Sequence, residues 1–148
     1  MNLQAIVDEI TATLRPQAGQ QGQVASYIPA LARVRADRFG IALRTFDGLE
    51  AAAGDSDVPF SIQSVSKLFS LTLGLQLIGE SMWDRIGREP SGNPFNSLVQ
   101  LEREEGKPRN PFINAGSIAV ADRLISQGRT EIDLVAMLSD LAGAPIDI

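Results

Sequence analysis

The chain has 148 residues and a net charge of −5, with no histidine and no cysteine. That length can bury a real core in one domain. The scattered basic residues argue against a nucleic-acid surface, and the missing residue types remove disulfides, thiolate metal sites and the commonest zinc ligand. Absence of cysteine fits a reducing compartment. No apolar run approaches the roughly 20 residues of a membrane-spanning helix. The first residues, "MNLQAIVDEITATL", carry acids and no basic n-region, so no secretory signal is expected. The expectation is a cytoplasmic protein with no nucleic-acid or membrane partner.

The opening segment places Leu3, Ile6, Val7, Ile10 and Leu14 on one helical face. Pro16 and "QAGQQGQ" end that pattern. "FGIALRTFDG" alternates like a strand, Asp47–Gly48 signals a hairpin, and "LEAAAGD" is the return strand. From Ser64 the spacing turns helical. Val65, Leu68, Phe69, Leu71, Leu75 and Ile78 surround the cylinder, which predicts burial on nearly all sides until Gly79. A long proline-bearing stretch follows, from Arg88 to Gly116. Its Phe95, Leu98, Leu101, Phe112 and Ile113 predict ordered packing. "NAGSIAVADRLISQG" reads as a helix with Ile118, Ala121, Leu124 and Ile125 on its face and Gly128 at its end. The last helix lies in "TEIDLVAMLSDLAG", with Thr130 and Asp133 spaced as a capping box.

One pair of residues suggests chemistry. Ser64 precedes Lys67 by three positions at the start of the apolar helix, so both fall on one face. A lysine amine set among apolar neighbours can lose its proton and accept one from a serine. The helix N-terminus supplies free N–H groups for an oxyanion. Eleven of the 13 basic residues are arginine, which cannot serve as a base, so a lysine here stands out. The other reading is equally simple: Ser64 caps the helix and Lys67 is solvated. Tyr27, before Ile28–Pro29, can be a packing residue, and Asn114 can be an N-cap.

The segments "SYIPALA", "VPFSIQSVSKLF", "GREPSGNPFNSL" and "GKPRNPFINAGSI" occur in that order. Together they resemble the serine-dependent glutaminases, amidohydrolases of the β-lactamase/penicillin-binding-protein fold. The resemblance runs from about residue 22 to about residue 140. It implies an α/β (α+β) fold, present in part: the N-terminal helix and β-hairpin of the sheet, plus much of the helical domain. It implies Ser64 as the nucleophile that attacks the carboxamide of L-glutamine and Lys67 as its base. Tyr27, Gln63 and Asn114 are implied to bind substrate beside Ser64. The implied reaction yields L-glutamate and ammonia through an acyl-enzyme, with no metal and no organic cofactor. Full-length members are expected to form homo-oligomers.

The family's catalytic domain is longer than this chain. Residues 1–148 are therefore expected to be the N-terminal portion of one catalytic domain, with the C-terminal half absent and little activity alone. Two alternatives are a non-catalytic remnant or half-domain, and another Ser–Lys acylase related to β-lactamases.

Overall fold

The computed structural model describes residues 2–97 and 99–146. The chain divides into two compact units, Met1–Ser61 and Ile62–Ile148.

The first unit is one helix and one hairpin. Helix α1, Leu3–Leu14, starts where the side chain of Asn2 accepts the Ala5 N–H at 3.2 Å. Val7 is fully buried, whereas Ile6 and Leu14 at the edges of the predicted face are exposed. Strands β1, Gly40–Arg44, and β2, Glu50–Gly54, pair antiparallel with Ala42 opposite Ala52. Thr45 N–H donates to Leu49 O at 2.9 Å, so Phe46, Asp47 and Gly48 form the loop. Gly48 takes φ +85°, the left-handed position that closes a three-residue hairpin loop.

Polar ties hold this unit together. The side-chain amide of Gln4 bonds both backbone groups of Ala52: Nε2 donates to its carbonyl at 2.9 Å and Oε1 accepts its N–H at 3.3 Å. At the other end of the hairpin, Asp55 accepts the Phe39 N–H at 3.0 Å and meets Arg38 at 2.9 Å and Arg15 at 3.5 Å.

The second unit has a continuous apolar core. Helix α2, Ser66–Ile78, contributes Leu71 and Leu73. The 3-10 turn Gly79–Asp84 contributes the fully buried Met82, and Ile86 follows it. Helix α4, Asn114–Ser126, adds Val120 and Leu124. Helix α5, Glu131–Ala142, leans Leu134 and Met137 on the same cluster. A short helix α3, Val99–Arg103, interrupts the long proline-bearing stretch.

Three details differ from the sequence reading. Burial of α2 is one-sided: Leu68 and Leu77 are exposed, as is Val65 just before the helix, because α4, α5 and the 79–84 turn cover only one flank of it within the unit. In α4 the packed face is Ala115, Gly116, Val120 and Leu124, whereas Ile118 and Ile125 are each about two-thirds exposed. The reason is close backbone approach. A Cβ on Gly116 would stand 1.8 Å from Asn110 O, so small residues face the chain there and the larger ones turn out. In the long stretch Pro108 and Pro111 are buried, while Phe95 and Phe112 are half-exposed. Leu98 lies outside the described residues.

The start of α5 follows the expected rule. Thr130 accepts the Ile132 N–H, and Asp133 accepts the Thr130 N–H at 2.8 Å, completing the capping box. The two strands and five α-helices of the described residues make a mixed α/β structure.

Candidate active site

Ser64 lies in the 3-10 turn Gln63–Val65, which runs directly into α2. A tighter turn, rather than the first α-helical residues, therefore carries it. Gln63 beside it has φ +43°, a left-handed backbone in a residue with a side chain. Such positions cost on the order of 1–3 kcal/mol and persist only where the surroundings impose them. Ser66 Oγ donates to Gln63 O at 2.6 Å and ties the turn to the helix. Ser64 itself is exposed, and among the described residues its Oγ has no hydrogen-bond partner.

Lys67 is in the first turn of α2 and is partly buried. Its Nζ donates to Asn114 Oδ1 at 2.6 Å and to the backbone carbonyl of Phe112 at 3.0 Å. The ring of Phe95 lies with its centroid 5.5 Å from the same nitrogen, within range of a cation–π contact. Lys67 thus joins the start of α2 to a segment 45 to 47 residues further along the chain. Among the described residues no hydrogen bond joins Lys67 Nζ to Ser64 Oγ.

Asn114 is the first residue of α4, and its backbone N–H donates to Phe95 O at 2.8 Å. The N-cap is Ile113, which has no capping side chain of its own. The amide of Asn114 is therefore turned to Lys67 rather than used as a cap. Because lysine only donates, the oxygen of that amide must face it, which leaves Nδ2 as a donor for another group.

The structure brings Lys67 and Asn114 together and places Gln63 and Ser64 in the turn that precedes Lys67. Tyr27 belongs to the first unit, where it occupies a turn and is 82% exposed. Sequence reasoning missed the Phe112 carbonyl and the Phe95 ring as partners of Lys67. A main-chain carbonyl leaves no residue-type signal. Phe95 was legible only as an apolar residue of the loop.

A family model described as Glutaminase matches residues 22–148. The chain belongs to the glutaminase family. A glutaminase of Rhizobium rhizogenes is 60% identical over 125 residues, covering 84% of this chain and 40% of the relative. One from Rhizobium meliloti is 57% identical over 134 residues, covering 90% and 42% respectively. A crystal structure of a probable glutaminase from Bacillus subtilis superposes with a TM-score of 0.82 at 30% identity. It covers 99% of this chain and 45% of that one. The chain thus spans about 40% of the length of the curated glutaminases that it matches. The mixed α/β structure is accordingly part of the β-lactamase-like glutaminase fold. No helix among the described residues is long and apolar enough to cross a membrane.

Proposed function

We propose that this chain carries the nucleophile and base of a glutaminase, an enzyme that hydrolyses L-glutamine to L-glutamate and ammonia. Ser64 Oγ attacks the side-chain amide carbon of glutamine, and Lys67 takes the serine proton. Collapse of the tetrahedral adduct breaks the C–N bond. The proton returns to the leaving nitrogen, which departs as ammonia. Water then attacks the Ser64 ester and releases glutamate. No metal or organic cofactor enters these steps.

The observation that carries this reading is the pair of oxygens on Lys67 Nζ. A neutral amine keeps two N–H donors and one lone pair. Phe112 O and Asn114 Oδ1 can take both donors, which leaves the lone pair for the serine proton. The amine is then oriented in the state in which it acts as a base. The Nδ2 of Asn114 suits an acceptor on the amino-acid end of the substrate, and Gln63 adds a further proposed substrate contact. The family membership supplies the choice of glutamine.

A covalent trap tests the roles without requiring turnover. A glutamine analogue bearing a leaving group at the δ position should add one acyl-equivalent mass to the protein, mapped by peptide mass spectrometry to Ser64. Ser64→Ala should abolish the adduct, and Lys67→Ala should slow its formation at least 10²-fold, the scale on which general bases contribute. An adduct on another residue, or one that survives Ser64→Ala, overturns the assignment. Ammonia release by the 148-residue chain alone should stay near background. Robust turnover that is lost in Ser64→Ala would show that these residues suffice.

A further inference from the structure

The cradle of Lys67 is built by a short segment, residues 110–114, and the side chain of Asn110 bonds both within that segment and to Glu89. Asn110 Oδ1 accepts the N–H of Phe112 at 3.0 Å and that of Ile113 at 3.2 Å. Asn110 Nδ2 donates to Glu89 O at 2.8 Å. The two residues just before this segment, Pro108 and Arg109, are bound to residues 87–89 through backbone groups. Gly87 N–H donates to Pro108 O at 2.7 Å, and Glu89 N–H donates to Arg109 O at 2.9 Å. The Asn110 amide adds a third bond to these two. Its oxygen then bends the chain so that the Phe112 carbonyl and the Asn114 side chain arrive at one point.

The backbone of Asn110 is equally constrained. Its carbonyl lies against Gly116, where no Cβ fits. Pro111 follows, with its φ locked by the ring and its body buried. The segment therefore has little freedom except through the Asn110 side-chain bonds. Both oxygens that receive Lys67 lie within four residues of it.

We propose that Asn110 is a positioning residue that sets the cradle of Lys67. It acts through Phe112 and Asn114 and does not itself meet the amine. The two arms of the amide have separate tasks. The oxygen arm shapes the 110–114 turn and presents the Phe112 carbonyl, and the nitrogen arm anchors that turn to Glu89. The catalytic meaning of this device rests on Lys67 acting as the base, whereas the device itself is a matter of where the Lys67 amine lies.

The chain contains two lysines, Lys67 and Lys107. Lysine-selective ¹³C labelling of the 148-residue protein therefore gives two ε-methylene signals by NMR, and Lys107→Arg identifies which is which. The Phe95 ring should displace the Lys67 ε-protons upfield of those of Lys107. In Asn110→Ala, which loses both arms, at least half of that displacement should vanish while the far-UV circular dichroism is kept. In Asn110→Asp, which keeps the oxygen acceptor and loses only the donor, at least half should remain. A purely structural asparagine would change the melting temperature in both variants and leave the Lys67 signal in place.

An unmoved Lys67 signal in folded Asn110→Ala, or equal loss in the two variants, overturns the proposal. Should Asn110→Ala fail to fold, amide exchange in the unaltered protein decides. The Phe112 and Ile113 N–H groups, held only by a side chain, should exchange at least tenfold more slowly than exposed loop amides, and free exchange overturns the proposal. None of these signals depends on turnover. Failure of the Ser64 adduct would refute the glutaminase roles and leave the Asn110 result intact.

Discussion

The two units of this chain are held together by different physics. In the first, Val7 and Ala51 are the buried residues among those described, and side-chain to backbone bonds do much of the remaining work: Asn2 on Ala5, Gln4 on Ala52, Asp55 on Phe39. In the second, α2, α4, α5 and the 79–84 turn share one cluster around Leu71, Leu73, Met82, Ile86, Val120 and Leu124. The convergence of Lys67 with Phe112 and Asn114 occurs in the unit with the core. A cradle assembled from residues far apart in sequence needs rigid elements beneath it, because each ångström of play removes orientation. A hairpin tied by exposed polar bonds offers little such rigidity.

The sharpest contrast should come from truncating one buried side chain in each unit. Met82→Ala removes a fully buried side chain whose Cε presses on Gly74, and should cost about 2–5 kcal/mol. Val7→Ala removes two methyl groups and should cost about 2 kcal/mol. Urea unfolding followed by hydrogen exchange measures both. Loss of protection in α1 rather than α4 on Met82→Ala, or a cost at Val7 above that at Met82, would break the comparison.

A smaller effect, of opposite sign, is expected at Gln63. Glycine there releases the left-handed strain, and its extra chain entropy takes back roughly 0.5–1 kcal/mol. Gln63→Gly should therefore stabilise the chain by about 1 kcal/mol in a thermal melt, while slowing adduct formation at Ser64 because the turn is no longer fixed. A destabilised variant would show that the +43° backbone is not strained.

The gentlest test uses pH. The Asp55 carboxyl is held below the ordinary aspartate value by the Phe39 N–H, with the Arg38 and Arg15 guanidinium groups adding to the effect. A carboxyl depressed in the folded state stabilises the fold fully above its ordinary value of about 3.9 and loses that contribution as pH falls through the lower folded value. Acid should therefore weaken the first unit, and Asp55→Asn should flatten that limb of the pH–stability curve. Asp133 is lowered in the same direction by the Thr130 N–H and Arg129, so α5 supplies an internal reference in the second unit.

Local chemistry was the legible part of this sequence. The Thr130–Asp133 box, the turn at Asp47–Gly48 and the apolar spacing of α1 each depend on residues within a few positions of one another. The box, the turn and the span of α1 stand where the sequence places them, although Ile6 and Leu14 of its predicted face are exposed. The packed face of α4 was misjudged because hydrophobicity was the signal, whereas contact was decided by the missing side chain of Gly116 against Asn110. For the site, the spacing of Ser64 and Lys67 was visible, but the Lys67 partners were not. One of them is a backbone carbonyl, and both depend on how a 45-residue excursion returns. Asn110 gave no signal for a similar reason, since its bond to Glu89 spans 21 residues of the chain.

The Gln4 amide has a consequence for how this hairpin can combine with other chains. In the antiparallel ladder, Ala51 and Ala53 turn their backbone groups toward β1, so Ala52 turns its own away, to the outer side of β2. Gln4 occupies both of those groups and stands in for one residue of a neighbouring strand. Ala42 of β1 likewise presents its N–H and C=O outward, and among the described residues no side chain closes them. The hairpin therefore has a valence of one. A third strand can zip onto β1 directly, whereas growth beyond β2 must first evict an amide that already satisfies both bonds it would offer.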